Sequence, residues 1–391
     1  MSNSISEFFS KSGIKKFKNG AKSIADKTAV KVVAASMVLA GAFGTTRASS
    51  AGEQVKLNNS GPVTAFAVTE QGDTLCSYLA EKTDSASFVR LQNLVNTATK
   101  SKTGREVLKC ISDQNTVLTM GDAGRGTIGY FTPDGNMIRL NEMFDDATLQ
   151  SCLVHEGKHS VQSFSLGRAL EYTNTFLTNT VISRVMEADA VATQTKFSYE
   201  MAQLGDSAAW KSLREEHKGI TETFEKNAKK HGVDKKKTMR ETMLAWYKDK
   251  EYAGLYDQSM IQFHRNITLN ATKDQIQDSF KDGIDTDVLI RSVCKLGGKT
   301  YATDGKMLMT PETAYLTRAN QVSLEAMNAI LKARTGREDV SSRFMYPVER
   351  DGTVSKMTFV QEDQAERLAE KRERQAAKTQ MVVNKLNMRT R

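Results

Sequence analysis

The chain has 391 residues, of which 39% are hydrophobic, and only four prolines. That is enough for a sizeable core plus a second domain or appendage, and it leaves long stretches free to be helical. The net charge of +9 is unevenly placed: residues 1–50 carry +6 and the rest only +3. A near-neutral body argues against binding through phosphates, so no nucleic-acid partner is expected.

Residues 1–51 read as a basic leader with an apolar segment. Phe8, Phe9, Ile14, Phe17 and Ile24 lie among lysines, a pattern suited to an anionic membrane surface. Val32 to Gly44 is uncharged, short for a membrane span, and fits the apolar part of a signal peptide. The segment is therefore a signal peptide or a membrane anchor. It points to an exported, periplasmic or membrane-associated protein, with a cytoplasmic one as the alternative. Residues 52–73 are polar enough for a linker.

From 74 onward helical and extended patterns alternate. Thr74–Glu81, Ser87–Ala98 and Gly104–Ile111 carry apolar residues at helical spacing. Thr116–Met120, Gly126–Thr132 and Asn136–Leu140 read as strands. Pro133-Asp134-Gly135 turns the last two into a hairpin, with glycine expected at the positive φ. Asp145 or Asp146 then caps a helix that ends near Gly167. Further helices are expected over Glu171–Leu204, Ala208–Lys229 and Lys237–Leu255, with Lys235–Lys237 in a loop. Trp246, Tyr247, Tyr252 and Tyr256 read as core. Residues 271–350 suggest a small helical or mixed region, and 351–391 a charged helical tail.

The helix after the hairpin contains His155-Glu156-Gly157-Lys158-His159, two of the chain's five histidines. Positions i and i+4 share a helix face, so both imidazoles can reach one metal ion, and Glu156 can act on a nearby water as general base. Catalytic zinc takes three protein ligands. Glu187 is the expected third, on the next helix and flanked by the small Ala188 and Ala190, with Asp189 in reserve. Cys76, Cys110, Cys152 and Cys294 match no metal-binding spacing, and both two disulfides and four thiols stay open. Cys152, near the metal face, reads as a packed thiol. His217, His231 and His264 read as surface residues.

His155-Glu156-x-x-His159 with a glutamate on a following helix resembles the gluzincin class of zinc metallopeptidases. More closely, GYFTPDGNMIRLNEMFDDATLQSCLVHEGKHSVQ followed by MEADA is similar to an uncharacterised bacterial metallopeptidase family. Thr103-Gly104-Arg105, Leu140-Asn141 and Gln162 fit the same pattern, and the resemblance spans roughly residues 74–265. It implies an α+β, mostly helical fold: a zincin-like small mixed sheet whose edge lines the cleft, a metal-binding helix, and a helical C-terminal extension. In this reading 74–270 is the metallopeptidase domain. One departure stands out: many gluzincins carry Asp or Asn four residues after the ligand glutamate, where this chain has Val191. The implied activity is zinc-dependent hydrolysis of a protein or peptide substrate. The alternatives are a non-catalytic binding or effector module of the same fold, and a peptidoglycan-crosslink hydrolase.

Overall fold

The runs flanking Pro133-Asp134-Gly135 do form a hairpin, and it closes one edge of a five-stranded sheet. The structure, a computed structural model, describes residues 61–354 apart from 82–83, 167–172, 340, 342–344 and 349–352. The basic leader, with any membrane contact through it, and almost all of the charged tail lie outside the described residues. Among the described residues no helix is long and apolar enough to cross a membrane.

The sheet contains β1 (Val63–Val68), β2 (Thr74–Ala80), β3 (Val117–Gly121), β4 (Gly129–Thr132) and β5 (Met137–Asn141), in the order β1-β2-β3-β5-β4. β1 with β2 and β4 with β5 are antiparallel, whereas β3 runs parallel to both β2 and β5. The sheet is therefore mixed, with β4 on an edge. In the hairpin it is Asn136, at φ 43°, and not Gly135 that takes the left-handed conformation. Asn136 can do so because its side chain is used locally: Nδ2 donates to the Gln114 carbonyl and Oδ1 accepts from the Thr116 hydroxyl.

Two expectations about this region are corrected. Thr74–Glu81 is strand β2, not a helix. Leu75, Tyr78 and Leu79 fit helical spacing, but Tyr78 and Ala80 also alternate inward, and pairing with β1 decides between the two periods. β1 itself falls inside the stretch expected to be a linker. Its Ala65 and Ala67 are buried, and the Val68 amide donates to Asn96 of the helix above it.

Two helices, α1 (Ser85–Ala98) and α2 (Lys102–Asp113), start at Asp84 and Ser101, whose side chains accept backbone N–H groups of the first turn. α3 (Asp146–Leu166) follows β5, and Asp145 caps it by accepting the Thr148 N–H at 2.9 Å. α4 (Phe176–Gln203) is buried along nearly its whole length. The single helix expected over Ala208–Lys229 is two, α5 (Ala208–Glu216) and α6 (Lys218–His231), broken at His217. Likewise Lys237–Leu255 divides into α7 (Lys236–Trp246) and α8 (Lys250–Asn270), and Lys236 and Lys237 open α7 instead of lying in a loop.

The remainder contains α9 (Lys273–Asp278), α10 (Thr286–Val293), the short pair β6 (Lys295–Leu296) and β7 (Lys299–Thr300), then β8 (Tyr315–Thr317), α11 (Arg318–Thr335) and β9 (Tyr346–Val348). Leu289, Ile290, Tyr315 and Leu316 enter the same apolar core as α4 and α8, so residues 271–350 complete that core. A second core lies between the sheet and α1, α2 and α3. α4 serves both, placing Val185 and Val191 in the helical core and Phe197 and Met201 against the sheet core. The architecture is α+β, mostly helical, around a small mixed sheet.

Candidate metal centre

α3 is held at close range on two sides by glycines. A Cβ on Gly129 of β4 would stand 2.7 Å from Cys152 Sγ, and one on Gly157 would stand 2.5 Å from Val107 of α2. The glycine inside the histidine motif is thus a packing residue, and Gly129 lets the edge strand approach the helix that carries the histidines. On its other side α3 packs along α4.

This packing brings His155, His159 and Glu187 together, with ligand atoms all within 4.8 Å of one another. The two Nε2 atoms are 3.1 Å apart. Glu187 Oε2 lies 3.3 Å from His159 Nε2 and 3.6 Å from His155 Nε2. Ligands about 2.0–2.1 Å from a tetrahedral ion are separated by about 3.3 Å, so these three spacings match the edges of such a site.

The surrounding hydrogen bonds define which nitrogens are free. Gln162 Nε2 donates to the Met186 carbonyl and to Asp189, so its Oε1 faces His159 Nδ1 at 2.8 Å as an acceptor. Gln194 Nε2 donates to Ser151 and its Oε1 faces His155 Nδ1 at 3.1 Å. Both imidazoles therefore hold a proton on Nδ1 and turn their Nε2 atoms toward each other. Two lone pairs at that distance need a proton or a cation between them. Glu187 is 1% exposed and neither of its carboxylate oxygens receives a hydrogen bond. A buried carboxylate in that state is costly unless a cation answers it. The donor set, its spacing and its unanswered lone pairs all fit a divalent metal ion.

Burial opposes charge on His155, but Glu187 outweighs it and raises the imidazole to about 9 in the metal-free protein. Glu187 is pushed far below the usual carboxylate range: burial opposes this, and the two histidines prevail. Glu156 is buried beside the cluster with Oε2 unpaired. Burial pushes its carboxyl up, while the histidines and the Phe131 amide of β4 pull the other way.

Asp189, the reserve ligand, is not part of the cluster. It points to the opposite side, where Lys158 Nζ lies 3.0 Å away and Gln162 and Tyr301 donate to it. Lys158, inside the histidine motif, is itself buried and also reaches the carbonyls of Val293 and Lys295. So His159, Gln162, Asp189 and Tyr301 form one hydrogen-bonded chain from the histidine to the C-terminal region.

Sequence reasoning placed His217 and His264 on the surface, and both are buried. His264 lies on Phe280 and accepts from Asn179, and burial lowers its pKa to about 3. His217 stands at the α5–α6 break, packs edge-on against Tyr252 with ring centroids 5.1 Å apart, and lines the cleft above His155. Its neighbours read as polar, and nothing local reveals the fold-back that buries it. Gln194 was also missed, although it lies seven residues after Glu187 and so on the same helical face. Cys152 is buried as expected, the aromatic cluster around Trp246 is core, and all four cysteines are free thiols.

A mostly helical α+β protein with a buried His-His-Glu group on two packed helices is of the metalloprotein class. The model of a family described as "Putative metallopeptidase family (DUF6782)" matches residues 69–302, more than half of the chain, and the chain belongs to that family. Searches among curated proteins and among solved structures return no match.

Proposed function

We propose that this protein is a zinc-dependent metalloendopeptidase of gluzincin type on a zincin-like fold, with His155, His159 and Glu187 as ligands and Glu156 as general base. The observation that carries this reading is the cluster of two facing imidazole nitrogens and one buried carboxylate that makes no hydrogen bond. Two imidazoles and a carboxylate suit zinc and leave a fourth position free for water or substrate. Zinc, when bound, supplies Lewis acidity that polarises a peptide carbonyl and lowers the pKa of water.

The chain's own groups fit the remaining tasks. Gln162 and Gln194 occupy the two Nδ1 positions, which leaves the Nε2 atoms as the ones that would hold the ion. Glu156, whose carboxyl is raised by burial, takes the proton of the attacking water and returns it to the leaving amine. β4 is an edge strand beside the helix that carries Glu156, and a sheet edge suits an extended peptide chain. His217 and Tyr252 offer polar groups on the facing wall.

The direct test is Glu156→Gln. The variant should keep its zinc and lose peptide hydrolysis by about a hundredfold or more, the usual scale for removing a general base. Full activity in that variant would refute the mechanism.

A further inference from the structure

The cleft above the histidines is walled by α3, α4, α5, α8 and the approach to β4. Among the described residues lining it there is no lysine or arginine, and its carboxylates are Glu156 and Glu216. Glu156 has a role in the proposed chemistry, whereas Glu216 has none so far. Glu216 is half-buried, and its carboxylate makes no hydrogen bond or ion pair with a described residue. It is the last residue of α5, where a negative charge meets the negative end of the helix dipole. Arg214, two residues earlier, pairs with Glu225 instead. Neither helix stability nor packing accounts for an acid at this position.

Glu216 lines the same cleft as Cys152, His155 and Glu156. Burial raises the Cys152 thiol, and the charges of Glu156 and Glu216 raise it further, so both carboxylates act on the same wall. A divalent ion held by neutral imidazoles would face Glu187, Glu156 and Glu216 together, which leaves an excess of negative charge in a cleft that supplies no cation of its own.

We propose that Glu216 selects substrates carrying a cationic group beside the bond to be cleaved: either a lysine or arginine side chain, or the substrate's own amino terminus, which would make the enzyme an aminopeptidase and not the endopeptidase proposed above. This rests on the zinc-peptidase reading of the cluster. The recognition is Coulombic in a partly desolvated cleft, so it should weaken as salt is added.

Three hydroxamates with the same zinc-chelating head group test it: N-acetyl-norleucine hydroxamate, which is neutral; N-acetyl-lysine hydroxamate, with a side-chain ammonium; and norleucine hydroxamate, with a free amino terminus. Each is titrated calorimetrically into the zinc-loaded protein and into Glu216→Gln, and affinities are compared with the neutral compound within each protein. One cationic compound should bind about tenfold more tightly than the neutral one in the wild type, a difference typical of a partly shielded charge pair, and Glu216→Gln should abolish that advantage. The compound that gains it identifies the source of the cation. No cationic advantage in the wild type, or one that survives Glu216→Gln, overturns the proposal and leaves the zinc site standing. If no hydroxamate binds the wild type, the zinc reading falls and this proposal with it.

Discussion

Arg184 and Glu187 lie almost one turn apart on α4, both 1% exposed, and their surroundings are opposite. Arg184 has an answer for its charge. It forms a two-pronged pair with Asp257 at 2.9 and 2.7 Å, donates to the carbonyls of Thr313 and Tyr315, and lies over the Tyr315 ring. Glu187 has only the two imidazoles beside it, at 3.3 and 3.6 Å, and makes no hydrogen bond of ordinary geometry. A buried charge needs partners. Where the fold supplies them the charge is structural, and where the fold withholds them the partner is expected from outside. The same helix thus carries one closed and one open charged site.

Breaking the closed site should have the largest effect on folding. Asp257→Ala leaves a buried guanidinium unpaired and should cost about 3–5 kcal/mol in denaturant unfolding. Glu187→Gln, measured on metal-free protein above about pH 9, where His155 is already neutral, should cost far less. Equal losses from the two variants would break the comparison.

Next come the residues that aim the imidazoles. Gln162→Leu and Gln194→Leu should each lower metal affinity about 10- to 100-fold, the range for partners of ligand histidines, as read by competition with a chromophoric chelator. Unchanged affinity would mean that the amides do not set the tautomers.

The pH dependence of the open site follows from its charges. His155 is raised from 6.5 to about 9 in the metal-free protein: burial opposes the charge, and Glu187 more than restores it. Its stabilising contribution is therefore complete below about pH 6.5 and fades as pH rises through about 9. Glu187 is depressed, so its contribution is present above about pH 4.5 and is lost as pH falls toward its folded value. Metal-free protein should accordingly be most resistant to denaturant between about pH 5 and 6.5, and binding a divalent metal at pH 7.5 should release about one proton. Calorimetry in buffers of different ionisation enthalpy measures that proton, and zero release would place the charge elsewhere.

The smallest effect is expected at Tyr301, one link beyond the metal face. Tyr301→Phe removes one donor from Asp189, which keeps Lys158 and Gln162. A loss of about 1.5 kcal/mol in stability, the low end of the scale for one hydrogen bond to a charged group, is expected, with metal affinity nearly unchanged.

The contrast also explains what the sequence could and could not show. The histidine pair, its helix and the hairpin before it were legible because each is written in local spacing. Glu187 was legible as a carboxylate among small residues on the next helix. Its partners were not. Val191 stands where an acid or amide would be sought, and the organising amides are instead Gln162, on the motif helix itself, and Gln194, seven residues further along α4. Lys158 of the motif is buried and paired with Asp189 of another helix, which local spacing does not encode. β2 and His217 failed for a related reason: β2 is decided by its pairing with β1, and His217 by a chain reversal between α5 and α6. Such facts arise only when separate segments pack together.

The most direct test of the central claim is the metal content of wild-type protein, Glu156→Gln and Glu187→Gln, each loaded with zinc, dialysed and measured by elemental analysis. The account predicts about one zinc per chain in the wild type and in Glu156→Gln, and essentially none in Glu187→Gln. A Glu187→Gln protein that holds as much zinc as the wild type would contradict it.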